Sequence, residues 1–221
     1  MRYIFASFLL ALSVVCTQAD EIAIWNFNDG NLTVDRSTRT ASMTTNFESS
    51  NVTYFSGSSI NARGGDAAGS ALALQGGSNT INNGRTLTWL VDTTGYTSIQ
   101  VSFATQRTST GFNNNVFQYT LDSGGNWTTF SSYTPPTSFA LQSFNLSAIA
   151  GLNNNPQAGF RIIFNGATSD SGNNRLDNLV VEGTLQQTTP VPEPSVLLLF
   201  GSGLIGLGVR CRRRGKDRLK A

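Results

Sequence analysis

Histidine is absent from this chain of 221 residues. Its absence removes Ser-His-Asp and Cys-His nucleophile systems, histidine-based zinc sites and the usual proton shuttle near neutral pH. Cysteine is nearly absent: Cys16 and Cys211 lie close to opposite ends. Lysine occurs only at Lys216 and Lys220. The long stretch between the ends therefore has no disulfide framework, and it offers neither thiol nor Schiff-base chemistry. Charge is sparse as well, with Asp, Glu, Lys and Arg making up 13% of the chain. Seven arginines (Arg36, Arg39, Arg63, Arg85, Arg107, Arg161, Arg175) face eleven carboxylates between Asp20 and Glu182, a net charge of about −4. A mildly acidic stretch without lysine argues against nucleic acid, whose binding needs a clustered basic footprint. The pairs Gly64-Gly65 and Gly76-Gly77 lack the following Lys-Ser/Thr of a phosphate loop and read as turns.

One catalytic route survives these absences, a pair of carboxylates acting on a glycosidic bond. The stretch has only three glutamates, Glu21, Glu48 and Glu182, and nothing in the sequence sets any of them across a cleft from an aspartate. The expectation is a protein that is not an enzyme.

The two ends are built differently from the middle. Arg2 precedes an apolar run from Ile4 to Val15, and Thr17-Gln18-Ala19 then gives small residues where a signal peptidase reads. Residues 1–19 read as a signal peptide cut after Ala19. A lipoprotein reading at Cys16 is weaker, because Val14 and Val15 stand where small residues are wanted. At the other end Val191-Pro192-Glu193-Pro194-Ser195 leads into a Gly-rich apolar run to Val209, followed by Arg210-Cys211-Arg212-Arg213-Arg214. The apolar run is short against the roughly 20 residues that span a bilayer, and the arginines after it fit a cytoplasmic stop. An ordinary C-terminal anchor is the plain alternative.

This tail resembles the PEP-CTERM sorting signal in its Val-Pro-Glu-Pro-Ser opening, Gly-rich helix and terminal arginines. The resemblance implies recognition by the membrane enzyme exosortase, with Pro192, Glu193 and Pro194 as the recognised motif and Arg212, Arg213 and Arg214 as the basic stop. It implies an exported, membrane-anchored precursor that ends at the cell surface or is secreted, and an association with exopolysaccharide. The organisation expected is a signal peptide over 1–19, a folded domain over 20–186 and a linker over 187–194. A transmembrane helix over 195–210 and a basic cytoplasmic tail over 211–221 complete it.

Within the folded stretch no apolar helical period lasts more than a turn or two, whereas alternation is common. Leu87, Trp89 and Val91 alternate with polar or small neighbours, as do Ile99, Val101 and Phe103, Phe117, Tyr119 and Leu121, and Phe160, Ile162 and Phe164. Leu176 to Glu182 is apolar on both faces apart from Asp177 and Asn178, which suggests a central strand. Turn clusters such as Asn82-Asn83-Gly84 and Ser171-Gly172-Asn173-Asn174 separate these runs. About ten short strands with such turns predict an all-β fold, a single antiparallel jelly-roll-like sandwich.

Two local patterns add to this. Thr120-Leu121-Asp122-Ser123-Gly124-Gly125-Asn126-Trp127 is similar to the Asp-box hairpin, Ser/Thr-x-Asp-x-Gly-x-x-Trp, which is a folding device. Ile24 to Gly30 and Arg175 to Val181 resemble the first and last strands of carbohydrate-binding jelly rolls. That resemblance implies terminal strands lying side by side and a shared structural calcium, with Asp177 as a ligand and Asn28 or Asp29 as companions. Calcium wants six to eight oxygens, many from backbone carbonyls. The competing reading is that Asp177 caps a loop or pairs with Arg175 or Arg161. For a glycan ligand the aromatics in predicted loops, Tyr96, Phe112 and Tyr133, are the candidate stacking platforms, while Trp25 and Trp89 read as core. A noncatalytic surface or matrix protein is the leading expectation. A carbohydrate-binding module with a defined ligand is the alternative, and a carboxylate-based glycan-active enzyme ranks last.

Overall fold

A computed structural model describes residues 19–186. The expected signal peptide (1–18 of it), the linker, the transmembrane helix, the sorting residues Pro192, Glu193, Pro194, Arg212, Arg213 and Arg214, and the basic tail lie outside the described residues. Ala19 is exposed directly before the first strand.

The alternating runs become strands because their branched and aromatic residues bury one pleated face while hydroxyls and amides take the other. Among the described residues there are twelve: β1 (Asp20–Trp25), β2 (Arg36–Ser37), β3 (Ala41–Thr45), β4 (Val52–Ser56), β5 (Ser70–Gln75), β6 (Thr86–Val91), β7 (Tyr96–Arg107), β8 (Asn114–Thr120), β9 (Thr128–Tyr133), β10 (Ala140–Asn145), β11 (Gly159–Asn165) and β12 (Asn173–Leu185). All pairings are antiparallel. The first sheet runs β10-β7-β12-β1-β2, with β5 also beside β12 and β4 beside β5. The second runs β3-β6-β11-β8-β9. The two form the expected all-β, jelly-roll-like sandwich. The terminal strands do lie side by side, with Trp25 opposite Leu179 and Ala23 opposite Val181.

The core between the sheets is aromatic. Phe117 of the second sheet stacks on Phe144 of the first, ring centres 3.9 Å apart and ring planes nearly parallel. Trp89 packs against both Phe117 and Phe160. At one end Phe47, Phe112 and Phe164 meet edge-to-face. Such large side chains bury much apolar area per residue, which suits a sandwich without disulfides.

The neighbours of β12 change along its length. On one side it follows β7. On the other it pairs with β5 over Asn173–Leu176 and with β1 only from Leu179 onward. Asp177 and Asn178 fall in the gap between those two partners, where the register with β7 also shifts. Asn178 takes a left-handed backbone, φ 49°, a conformation that Asn tolerates better than most side chains.

Candidate functional site

The two sheets treat their outer faces differently. On the first sheet, Ile24, Ser102, Ala104 and Val180 point away from the core and are nonetheless buried. The segment 57–69, which joins β4 to β5, lies over this face. Asp177 and Asn178 pin it. The Ser58 N–H donates to Asp177 Oδ2 at 2.6 Å, and the Asn178 amide donates to the Ser58 and Ile60 carbonyls at 2.7 and 2.9 Å. Asn61 returns a bond to the Asn178 carbonyl at 2.8 Å and another to Ser102. Asn28 holds the far end, its Oδ1 taking the Ser70 N–H and its Nδ2 donating to the Ala67 carbonyl. Arg63 spans Glu21 and Glu182, which face each other across β1 and β12. Arg36 adds a two-pronged pair with Asp66.

Asp177 therefore caps a loop, as the competing sequence reading had it, and pairs with neither arginine. Arg175 instead donates to the Ser56 carbonyl and lies over Phe55, while Arg161 belongs to the opposite sheet. Asp177 is fully buried, and its carboxyl is pushed up to about 7 because burial outweighs the two backbone N–H groups that favour its charge. The donor set bears on calcium. Asp177 Oδ2 and the Ala68 carbonyl oxygen both pack closely against Gly57, where any side chain would strike them. Asn28 closes the same loop. Asp29 does not join them: it is exposed and takes the Asn31 amide at 2.6 Å. Among the described residues no three acidic, cysteine or histidine side chains come together. Asp177 is the one fully buried carboxylate among the described residues, and its two oxygens accept the Ser58 and Asn178 N–H groups.

The outer face of the second sheet is open. Thr44, Thr88, Arg161, Gln118 and Thr129 stand directly opposite one another across β3, β6, β11, β8 and β9 and form one row. Arg161 Nε donates to Gln118 Oε1 at 2.6 Å, and Gln118 Nε2 donates to Thr129 Oγ1 at 2.8 Å. The Arg161 guanidinium carbon sits 4.3 Å from the centre of the Trp127 ring. The β8–β9 hairpin puts Trp127 there, and its turn is the Asp-box device. Asp122 receives the Thr120 hydroxyl at 2.6 Å, the Asn126 N–H at 2.8 Å and the Asn126 amide at 2.7 Å. The Thr120 hydroxyl, with Asn126, holds the Asp122 carboxyl down at about 2.

The three aromatics expected to be glycan platforms are not available. Tyr96 is no loop residue; it opens β7, lies in the core and spends its hydroxyl on Thr38 at 3.0 Å. Phe112 is in a loop but turns inward and is fully buried among Phe47 and Phe164. Tyr133 ends β9, half-buried against Phe103 and Phe144, with its hydroxyl enclosed. Burial raises that hydroxyl well above the usual phenol range. An apolar ring in a polar loop gains more by folding back onto the core than by staying in water. Trp25 and Trp89 are core, as read. The sequence reading missed the row around Arg161. Its signal was the polar phase of the same alternation, Thr88 beside Trp89, Gln118 beside Phe117 and Arg161 between Phe160 and Ile162. All three glutamates of the stretch are ion-paired, Glu21 and Glu182 with Arg63 and Glu48 with Arg85.

Comparison with known proteins bears first on the tail. The family model described as the PEP-CTERM protein-sorting motif matches residues 190–214. The tail is a PEP-CTERM sorting motif. It implies processing by exosortase and an exported, membrane-anchored precursor. Among the described residues no helix is long and apolar enough to cross a membrane; the apolar run of the PEP-CTERM tail lies beyond them. No curated protein matches the chain. Solved structures similar to the folded part include domain 4 of AbnA, an extracellular arabinanase of family GH43 from Geobacillus stearothermophilus, in complex with arabinotriose. It is 13% identical, with 76% of this chain and 95% of that one covered and a TM-score of 0.47. The family 11 carbohydrate-binding module from Clostridium thermocellum is also 13% identical, over 76% of this chain and all of its own, with a TM-score of 0.40. The CBM22-1 xylan-binding domain of Xyn10C from Paenibacillus barcinonensis is 8% identical, over 79% of this chain and all of its own, with a TM-score of 0.43.

Proposed function

We propose that the PEP-CTERM chain is a noncatalytic extracellular protein, cut at both ends, that binds polysaccharide of the cell surface or matrix through the open face of its second sheet. The row Thr44-Thr88-Arg161-Gln118-Thr129 carries the reading. It crosses five strands, about 19 Å at about 4.8 Å per strand, which suits an oligosaccharide segment better than a small molecule. Hydroxyl, amide and guanidinium groups match the alternating donors and acceptors of sugar hydroxyls. The flanking Leu90, Ile163 and Val116 offer apolar patches to the C–H faces of the rings.

Gel retardation of the full chain in neutral and acidic polysaccharides tests the reading. Retardation that Gln118→Ala weakens is expected; mobility unchanged in every glycan would leave a purely structural role. Reducing ends released over time would refute the noncatalytic part. The sorting part is tested by intact mass and fractionation in the native host. The expected mass lacks residues 1–19 and everything after about Pro194, in the medium or on the outer surface. A full C-terminus kept in the inner membrane would reduce the tail to an anchor.

A structural calcium at Asp177 belongs to the same proposal. Its support is a fully buried carboxylate with no cation against it among the described residues. Bound there, the ion would supply the positive charge that lets Asp177 stay ionised while burial opposes it.

A further inference from the structure

The arginines of the folded body fall into two groups. Arg36 pairs with Asp66, Arg63 with Glu21 and Glu182, and Arg85 with Glu48. Arg107 spends its donors on the Pro135, Thr108 and Ser109 carbonyls, and Arg175 donates to Ser56. Arg39 faces Tyr96 and acts on the charge of Asp92. Arg161 alone stands at the centre of an open sheet face without an acid. Among the described residues its one hydrogen bond is from Nε to Gln118. Its two terminal amino groups have no partner among the described residues and are not enclosed.

The setting prepares that guanidinium for an anion. The Trp127 ring at 4.3 Å attracts its charge and shields one side from water. Gln118, fixed in turn by Thr129, fixes its rotation through Nε. The terminal amino groups are left as a preset fork, the geometry that grips a carboxylate with two parallel N–H···O bonds. The strand positions of this face hold no carboxylate: the flanking row is Thr86, Ile163, Val116 and Ser132 on one side and Ser42, Leu90, Gly159 and Thr120 on the other. The nearby hairpin acid, Asp122, spends its oxygens within its own turn. Burial lowers the Arg161 guanidinium from the usual arginine range, and no carboxylate at the strand positions of its own face offsets that effect.

We propose that the open face selects polysaccharide carrying carboxylate groups, uronate residues in a chain, with Arg161 as the carboxylate-binding residue and Trp127 and Gln118 as its positioning residues. The inference rests on the glycan reading above and adds the charge of the ligand. A neutral glycan would meet the hydroxyl row but leave the fork unfilled. A uronate would fill it, and the body's net negative charge would keep nonspecific attraction to polyanions low.

The test is affinity electrophoresis of the full chain in polygalacturonate and in its methyl ester, with alginate and its propylene glycol ester as a second pair. The expected result is binding to at least one acid form that falls about tenfold or more on esterification. Arg161→Gln should lose about tenfold on the acid form and little on the ester, Arg161→Lys should restore part of the loss, and Arg39→Gln should leave binding unchanged. Equal binding of acid and ester forms would overturn the carboxylate assignment and leave the glycan reading standing. No binding to any glycan, acidic or neutral, would overturn both. A concentration-dependent dimer abolished by Arg161→Gln would overturn the proposal by assigning the face to a second copy of the chain.

Discussion

The outer faces of the two sheets begin from the same alternating pattern and end in opposite states. On the first sheet, segment 57–69 closes over Ile24, Ala104 and Val180, so those outward residues are as buried as the core. On the second sheet, the outward residues Thr44, Thr88, Arg161, Gln118 and Thr129 remain in contact with water. The difference comes from two adjacent polar residues. Asp177 and Asn178 sit where β12 changes neighbours, and the strand ladder there leaves backbone groups without partners. Polar side chains in that gap bind the loop instead, since a buried polar group left unpaired is destabilising. The second sheet has no such gap in β11, which pairs along its length with β8, and no loop is captured. A covered face serves stability, and an open one is free to bind.

The largest expected break in this comparison lies in the charge of Asp177. Its folded value is pushed up to about 7 from an ordinary 3.8. The unfolded chain releases the proton near pH 4 while the folded chain keeps it to about pH 7, so the stability it lends is complete below pH 4 and is lost as pH rises through 7. In chelator that loss is on the order of 4 kcal/mol. Thermal melts of the wild type should fall across that window, whereas Asp177→Asn should lack the slope. Added calcium at pH 7 should raise the wild-type melting temperature and leave Asp177→Asn unmoved. Equal slopes and equal calcium responses in the two proteins would remove Asp177 from both roles.

Asn178→Ala attacks the same cover through hydrogen bonds. It removes the bonds to Ser58 and Ile60 and places a residue less tolerant of φ 49° in the bulge. A loss of about 2–3 kcal/mol is expected, together with faster amide exchange at Ser58 and new protease cleavage within 57–69. Intact protection of that segment would mean that the arginine pairs, not Asn178, hold it.

A smaller effect should follow on the open side from Asp122→Ala. The hairpin keeps its strands, the melting temperature drops less than for Asn178→Ala, and Trp127 emission changes while buried Trp25 and Trp89 do not respond. The Asp122 carboxyl is held down at about 2 by the Thr120 hydroxyl and the Asn126 groups. Its support is present above pH 4 and fades as pH falls toward 2, the reverse of Asp177. Smallest of all in stability is Thr88→Ala, expected within about 0.5 kcal/mol of the wild type. Weakened glycan retardation at unchanged stability is the expected signature of a binding face. If Thr88→Ala destabilised the fold as Asn178→Ala does, the contrast between the faces would collapse.

The apolar phase of the alternation was legible because burying one pleated face is the strongest demand on a sandwich strand. Trp89, Ile99, Val101, Phe160 and Ile162 all point inward as read. The Asp-box turn was legible because its bonds are local, within Thr120 to Asn126. Tyr96, Phe112 and Tyr133 misled because a ring next to a turn carries no local sign of whether the chain folds it back. Phe112 is held inward partly by Asn174, far along the chain, which donates to its carbonyl. Arg161 could not be assigned because its neighbours Thr88, Gln118 and Trp127 come from three other segments, and the sequence left open that it paired with Asp177.

The sequence by itself determined the chemistry excluded by missing histidine and by a lysine-free body, the sorting motif at 190–214 and the all-β sandwich, since composition, short linear signals and two-residue periodicity are local properties. The tertiary structure alone decided which polar face stayed open and which carboxylate was buried. Those outcomes depend on long-range strand pairing: the ladder places Asp177 in a gap under segment 57–69 and Arg161 on an uninterrupted sheet. There the same periodic pattern leaves one charge dry and the other facing water.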